Sequence, residues 1–342
     1  MQIPLSRVAA DQRPLIAAFR DAGGKSFQDA GSVERSRVNY ETSCAANGLA
    51  PDAVASVEDV AVGAFGVRVY DPRPAGASAA DPVIVFAHGG GWVIGSLETH
   101  DSVCRRLATL TGLPVVAIDY RLGPEVPFPA GHEDCRDAVA WVREVATDRS
   151  WDASRILTVG DSAGGGIATA LAFEPRMQVP GTRVIGQVLL YPMLDVANES
   201  PGFERITEGV PLTADTIRWF VENYVPDAAL RLDHRVSPLL AVRGEEPDAS
   251  PQPSAPVQRS AAVQPSAALQ PPAWILSLGL DPLADEALEY ARLLALGGTE
   301  VELVHLPDHA HGLFSSAGKV RTGELMLERA AEFILRTVAA SR

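Results

Sequence analysis

The chain has 342 residues, with 29 lysine and arginine residues against 43 aspartate and glutamate residues, which gives a formal net charge of −14. Hydrophobic residues make up 46% and charged residues 21%, an ordinary balance for a globular protein with a large core. This composition excludes a chain that is disordered as a whole. The acidic charge argues against a protein whose main partner is nucleic acid or an anionic membrane.

The start of the sequence lacks the apolar run of a secretory signal peptide, and no integral membrane segment is predicted. The most apolar runs, Val83–Ala87 and Ala273–Leu280, are far shorter than a membrane span. Cys44, Cys104 and Cys135 are scattered and show neither zinc-like spacing nor a disulfide framework. We therefore expect a cytoplasmic protein with reduced thiols.

The N-terminal part of the chain is polar and is predicted to form helices over Pro14–Arg20 and Val33–Asn47. Two stretches with alternating apolar and polar residues follow, Val57–Val62 and Gly66–Tyr70. This alternation is typical of strands with one buried face.

Six short, continuous apolar runs then alternate with helical patterns, which indicates a mostly parallel, doubly wound α/β sheet buried on both faces. The predicted strands are Val83–Ala87, Pro114–Tyr120, Ile156–Val159, Val188–Pro192, Trp274–Gly279 and Val301–Leu306, and the predicted helices are Asp101–Thr111, His132–Ala146, Ala163–Ala172 and Leu283–Leu296.

Two stretches interrupt this alternation. Residues 198–233 contain a helical segment, Thr213–Tyr224, without a flanking strand, and we expect an insertion over one end of the sheet. Residues 245–272 hold seven prolines among serine, alanine and glutamine, a composition that cannot build a core. We expect this segment to be a flexible surface loop.

The strongest chemical signal is the G-x-S-x-G sequence at 160–164, centred on Ser162. It follows the predicted strand Ile156–Val159 and precedes a helix, the strand–turn–helix setting that a nucleophile elbow requires. Glycines suit this crowded turn, and the helix N-terminus favours negative charge near the serine oxygen. The alternative is a glycine-rich turn with an incidental serine.

A second signal is His88-Gly89-Gly90-Gly91-Trp92, at the end of the strand Val83–Ala87. Three consecutive glycines leave backbone N–H groups able to approach a substrate and stabilise an oxyanion.

A serine nucleophile needs a base, and the base needs an orienting carboxylate. Among the seven histidines, His311 follows the last predicted strand in a turn-like setting, with His309 as a rival. Asp281 stands at the carboxyl end of the fifth strand, where sites in open α/β sheets lie. Asp285 is a rival acid within the following helix. The order Ser162, Asp281, His311 matches that of α/β-hydrolases.

The chain resembles the α/β-hydrolases of the hormone-sensitive-lipase-like group, which are carboxylesterases and lipases. The segments that carry the likeness are HGGGWVIGS at 88–96, DYRLGPEVPFPAGHED at 119–134, GDSAGG at 160–165, YPMLD at 191–195, SPLLA at 237–241, GLDPLADE at 279–286 and HGLF at 311–314. The resemblance implies an α/β-hydrolase fold with helices on both faces of the sheet. It also implies a helical cap, formed by residues 1–56 and an insertion near 198–233, over a catalytic domain of residues 57–342.

By this resemblance, Ser162 is the nucleophile, Asp281 the orienting acid and His311 the general base, while His88 orders the glycine loop. The implied oxyanion hole consists of the backbone N–H groups of Gly90, Gly91 and Ala163, with Gly89 as a further candidate.

The favoured interpretation is a serine carboxylesterase for short- to medium-chain esters, acting through an acyl-enzyme without a metal or organic cofactor. Its partner is a small-molecule ester, and a homodimer is left open. One alternative is the same triad acting on a specialised metabolite, as a lactone, amide or carbamate hydrolase or in acyl transfer. Another is a non-catalytic relative that binds a small ligand.

Overall fold

The computed structural model describes residues 3–77, 80–245 and 270–341. Within these ranges the strands are β1 (Ser56–Val62), β2 (Phe65–Asp71), β3 (Asp81–Ala87), β4 (Val115–Asp119), β5 (Trp151–Asp161), β6 (Arg183–Leu190), β7 (Ala273–Leu280) and β8 (Val301–Ala310). They form one sheet in the order β1-β2-β4-β3-β5-β6-β7-β8. β2 pairs antiparallel with β1 and β4, and all other neighbours are parallel, which confirms the predicted mostly parallel sheet.

The helices of the described residues are α1 (Arg13–Asp21), α2 (Val33–Asn47), α3 (Leu97–Thr111), α4 (Ala130–Arg149), α5 (Ala163–Phe173), α6 (Gly202–Arg205), α7 (Ala214–Tyr224), α8 (Pro238–Arg243), α9 (Ala284–Leu296) and α10 (Arg321–Ala340). Short 3-10 turns supplement them.

The continuous apolar runs form strands that are covered on both sides. Along β3, Val83 and Val85 enter one hydrophobic cluster, while Ile84 and Phe86 enter another on the opposite face. Successive side chains of a strand point to opposite faces, so a run without polar residues requires a helical layer on each side. Residues of α3 and α10 build one layer, and residues of α4, α5 and α9 build the other.

Several elements differ from the prediction. β5 begins at Trp151 rather than at Ile156, β8 ends at Ala310 rather than at Leu306, and the short helices α6 and α8 were not predicted. β6 ends at Leu190 rather than at Pro192, because Tyr191 has a left-handed φ of +42° that turns the chain out of the sheet. α10 was not among the predicted helices, although Met326, Leu327 and Ala330 are buried at helical spacing.

Two segments pack over the end of the sheet where the parallel strands finish. The N-terminal segment is tied there by Gln12, whose side-chain amide bonds both the N–H and the carbonyl of Ala310. Residues 198–233 contain α6 and α7, and Phe220 of α7 is buried beside Gly91. The predicted flexible loop, residues 245–272, falls mostly at 246–269, which lies outside the described residues.

No helix in the described ranges combines the length and the apolarity that crossing a membrane requires.

Candidate active site

Ser162 lies at the turn between β5 and α5, in the strand–turn–helix setting that its sequence predicts. It has a φ of +54°, in the left-handed region that non-glycine residues rarely adopt. Its N–H donates to the carbonyl of Leu190 at 2.9 Å, which fixes the turn. A side chain at position 160 would overlap the carbonyl of Gly164, and one at position 164 would overlap that of Ala87. The flanking glycines are therefore required by close packing.

Two further predicted residues lie beside this serine. Asp281 follows β7 and His311 follows β8, so both stand at the carboxyl ends of neighbouring strands. His311 Nε2 lies 2.9 Å from Ser162 Oγ, and His311 Nδ1 lies 2.6 Å from Asp281 Oδ2. The Asp281 carboxylate is 1% exposed, and its other oxygen accepts the N–H of Leu283 at 2.9 Å. The structure thus brings hydroxyl, imidazole and carboxylate into one hydrogen-bonded chain.

The rival residues lie outside this chain. His309 Nδ1 contacts Asp308 at 2.9 Å, and its Nε2 lies 3.4 Å from Asp11. Asp285 accepts the N–H of Gly202 at 2.8 Å and pairs with Arg205 at 2.8 Å. Neither group contacts Ser162.

The glycine loop after β3 faces the same point. Gly90 and Gly91 have φ values of +120° and +61°, and both line the cavity that contains Ser162 and His311. Their N–H groups donate to no acceptor among the described residues, which leaves them available to a ligand. The N–H of Ala163 is also free of an intrahelical partner, since Ala163 is the first residue of α5.

Gly89 differs from the other two glycines. Its N–H donates to Asp161 Oδ1 at 2.7 Å, so this donor is already used within the protein. Asp161 is 4% exposed, and its carboxylate also lies 3.1 Å from His100 Nε2. Burial raises the pKa of the Asp161 carboxyl, but His100 and the Gly89 N–H outweigh burial and hold the pKa below its usual value. This contact was not predicted, because no residue pattern marks it.

His88 packs behind the loop. It is 2% exposed, its ring stacks on Tyr120 at 4.3 Å, and its Nδ1 lies 2.8 Å from the carbonyl of Gly89. The Tyr120 hydroxyl donates to the carbonyl of His88 at 2.7 Å. Burial, reinforced by His100, lowers the pKa of His88 to about 4. A neutral ring held by these contacts orders the loop.

Arg37 is a second residue that the sequence did not single out. Its side chain reaches from α2 to the chain just after the glycines, where Nε donates to the carbonyl of Val93 at 2.9 Å. Nη2 donates to the carbonyl of Gly123 at 2.9 Å, and the guanidinium pairs with Glu125 at 2.7 Å. α2 is thereby fixed to the glycine loop.

The site opens into a cavity of about 440 Å³. Its walls come from α1, α2, α7, the glycine loop and the turn after His311. Metal ligands do not converge in it: throughout residues 3–77, 80–245 and 270–341, no three His, Cys, Asp or Glu side chains form a possible metal cluster. Cys44, Cys104 and Cys135 are buried and unpaired.

Comparison with known proteins identifies the family. A family model described as alpha/beta hydrolase fold matches residues 84–315. The chain belongs to this family, which confirms the resemblance seen in the motifs.

Similar proteins match over nearly the whole chain. The ethyl acetate hydrolase of Pseudomonas putida is 33% identical over 331 residues, 95% of both chains. The carboxylesterase NlhH of Mycobacterium tuberculosis is 34% identical over 335 residues, 96% of this chain and 95% of the relative. The solved structure of an ester hydrolase from the metagenome of Lake Arreo is 32% identical, with a TM-score of 0.81, and covers 97% of this chain and 99% of its own.

Proposed function

We propose that the chain is a serine carboxylesterase in which Ser162 is the nucleophile, His311 the general base and Asp281 the carboxylate that orients the imidazole. The observation that carries this proposal is the hydrogen-bonded chain in which His311 lies 2.9 Å from Ser162 Oγ and 2.6 Å from Asp281 Oδ2. Similar proteins named ethyl acetate hydrolase and carboxylesterase support the ester as the bond attacked.

The first half of the reaction forms an acyl-enzyme. Ser162 Oγ attacks the ester carbonyl carbon while His311 Nε2 takes the hydroxyl proton. The buried Asp281 carboxylate stabilises the imidazolium that forms. The carbonyl oxygen becomes an oxyanion, which accepts hydrogen bonds from the N–H groups of Gly90, Gly91 and Ala163. Gly89 is excluded from this role because Asp161 holds its N–H.

The first half ends when this tetrahedral intermediate collapses: His311 gives its proton to the departing alkoxide, and the alcohol leaves the acyl-enzyme. In the second half, a water molecule takes the place of the alcohol beside the imidazole. His311 removes a proton from that water, which attacks the acyl-enzyme carbonyl and forms a second tetrahedral intermediate. This intermediate collapses as His311 returns the proton to Ser162 Oγ, which releases the carboxylic acid and restores the free serine.

We also propose that the N-terminal segment and residues 198–233 act as a cap that limits acyl length to short and medium chains. Both segments contribute walls to the cavity, whose volume of about 440 Å³ is within the range for small-molecule sites, roughly 300–1,000 Å³. A cytoplasmic location and a homodimer stay predictions from the sequence.

The test is hydrolysis of p-nitrophenyl esters of increasing acyl length by the wild type, by Ser162→Ala and by Ser154→Ala, an exposed serine on β5. We expect kcat/KM to be highest for short and medium chains, and turnover to vanish in Ser162→Ala alone. A folded wild type without Ser162-dependent turnover would contradict the esterase, and a preference for long chains would contradict the cap.

A further inference from the structure

The side chain of Gln12 binds the main chain directly before His311. It is 3% exposed, and its amide makes two hydrogen bonds to Ala310. Gln12 Oε1 accepts the N–H of Ala310 at 2.7 Å, and Gln12 Nε2 donates to the carbonyl of Ala310 at 3.0 Å. Ala310 is fully buried, so both of its backbone groups need a partner within the protein. The Gln12 amide is a partner for both.

These two hydrogen bonds fix the peptide groups that lead to His311. The carbonyl of Ala310, the N–H of His311 and the Cα of His311 belong to one rigid peptide plane. The N–H of Ala310 belongs to the preceding plane, so Gln12 holds both planes that meet at Ala310. The amide of Gln12 therefore restrains the Cα of His311, from which the imidazole side chain starts.

The chain around Gln12 extends this contact along the edge of the sheet. β8 is the last strand in the strand order, so the backbone groups on its outer side are not used by a neighbouring strand of the described residues. The N–H of Ala9 donates to the carbonyl of Asp308, two residues before Ala310, at 2.8 Å. Gln12 also caps the start of α1, where its backbone carbonyl accepts the N–H of Ile16 at 3.2 Å. The helix thus holds the Gln12 side chain against β8.

A small hydrophobic cluster joins the same segment to both partners of Ser162. Leu280 precedes Asp281, Ala310 precedes His311, and Leu280 and Ala310 are paired between β7 and β8. They pack in one cluster with side chains of the N-terminal segment and of the insertion, namely Ile3, Val8, Ile16, Ile206 and Val210. Apolar contacts bring these elements together without fixing an orientation, whereas hydrogen bonds depend on direction. The orientation of the chain before His311 therefore depends on Gln12.

Resting on the proposed esterase function, we propose that Gln12 is a positioning residue for the general base. By holding the peptide groups around Ala310, it keeps His311 Nε2 at 2.9 Å from Ser162 Oγ and His311 Nδ1 at 2.6 Å from Asp281 Oδ2. The N-terminal segment thus has a second role besides lining the cavity, because it completes the alignment of the triad.

The test compares the wild type with Gln12→Met, Gln12→Glu and Asp11→Ala. Methionine keeps the length of the glutamine side chain but has no amide, and glutamate restores an acceptor for the N–H of Ala310. Asp11 is the matched control, because it also ties the N-terminal segment through two hydrogen bonds. Its carboxylate accepts the N–H and the hydroxyl of Thr322 on α10, at 3.0 and 2.7 Å, and it does not line the cavity.

Kinetics on p-nitrophenyl acetate and p-nitrophenyl hexanoate gives the first readout. We expect Gln12→Met to lower kcat by about 10- to 100-fold and by the same factor on both esters, because a misplaced base slows the reaction of every acyl group. The KM values should stay near those of the wild type, and Gln12→Glu should recover part of the lost kcat. Asp11→Ala should keep its kcat. A loosened cap alone would instead raise KM, and more for the hexanoate than for the acetate.

Proton NMR of the folded proteins gives the second readout. The wild type should show a far-downfield proton signal from the short hydrogen bond between His311 and Asp281, which should shift or weaken in Gln12→Met but not in Asp11→Ala. Full kcat with an unchanged signal in Gln12→Met, or equal losses of kcat in Gln12→Met and Asp11→Ala, would overturn the inference alone. If Gln12→Met does not fold, an unchanged kcat and signal in Gln12→Glu would overturn it. A wild type without Ser162-dependent turnover would overturn the esterase function itself.

Discussion

The backbone N–H of Gly89 donates to Asp161 Oδ1 at 2.7 Å, although the two residues are 72 positions apart. Asp161 directly precedes Ser162, and Gly89 directly precedes the two glycines with free N–H groups. This hydrogen bond connects the nucleophile turn to the glycine loop. Trp92 Nε1 makes a second connection between them, to the carbonyl of Ala163 at 3.1 Å.

We expect Asp161→Asn to lower kcat with little change in KM. Asparagine keeps the shape of aspartate but removes the charge that strengthens the Gly89 contact and pairs with His100. Hydrogen bonds to charged groups contribute roughly 1.5–3 kcal/mol, which corresponds to a loss of about 10- to 100-fold in kcat if the oxyanion donors depend on this contact. Steady-state kinetics on a p-nitrophenyl ester measures kcat and KM for the variant and the wild type.

Asp285→Asn is the matched control for this change. Asp285 is also a carboxylate near the site, but it contacts Gly202 and Arg205 rather than the catalytic groups. Its variant should keep kcat within a small factor of the wild type. Equal losses in both variants would show that the effect at Asp161 is not specific to the glycine loop.

Arg37 provides a second connection to the glycine loop, from α2. We expect Arg37→Ala to lower kcat about tenfold, because the variant loses the bonds to the carbonyls of Val93 and Gly123 together. Arg37→Lys should recover part of the activity, since an ammonium cannot reproduce the fork of the guanidinium.

The control for Arg37 is Arg218→Ala, which removes an exposed arginine paired with Glu199 in the insertion. Such exposed pairs contribute little to stability, about 0–1 kcal/mol, and Arg218 contacts no residue of the glycine loop. If Arg37→Ala kept full kcat and only lowered the melting temperature, Arg37 would be an anchor of the fold alone.

Replacing each of the two histidines near the end of β8 separates their roles. His311→Gln should lower kcat by roughly 10⁴- to 10⁶-fold, as expected when a triad loses its base. His309→Gln should keep kcat within a few-fold, because His309 contacts Asp308 and Asp11 and not Ser162. Near-complete loss in His309→Gln, with the fold intact by circular dichroism, would contradict this assignment of the base.

The sequence predicted the elements that have a local signature. The continuous apolar runs correctly placed the parallel strands, and the G-x-S-x-G turn correctly placed Ser162 between β5 and α5. Chain order and strand ends made Asp281 and His311 candidates, and the family resemblance selected them over Asp285 and His309. The structure brings the selected pair within hydrogen-bond distance of one another. These features were predictable because periodicity and turn chemistry act over a few neighbouring residues.

The contacts that were not predicted join distant parts of the chain. Arg37 and Val93 are 56 positions apart, and nothing near Arg37 distinguishes it from other surface arginines. The use of the Gly89 N–H by Asp161 likewise depends on how β3 and β5 lie side by side. Such pairings follow from how distant elements pack against one another in the folded chain, so a single sequence contains no local sign of them.

Two buried histidines make the stability of the fold depend on pH. Burial, reinforced by a neighbouring His100 or Arg235, lowers the pKa of His88 to about 4 and that of His132 to about 3. In the unfolded chain both imidazoles have the ordinary pKa near 6.5. As the pH falls, the unfolded state therefore binds protons before the folded state does. The contribution of these histidines to the free energy of unfolding is therefore complete above pH 6.5. It decreases at lower pH, by about 2 kcal/mol for each histidine at pH 5.

Urea unfolding of the wild type and of His132→Gln at pH 7.5 and pH 5.0 checks this dependence. Glutamine stays neutral at both values, so the loss of unfolding free energy between them should be smaller in the variant by about 2 kcal/mol. His234→Gln is the control, because His234 is partly exposed and its Nε2 lies 2.9 Å from the carbonyl of Glu245 at the surface. If His132→Gln lost as much unfolding free energy as the wild type on acidification, proton binding by His132 would not differ between the folded and the unfolded state.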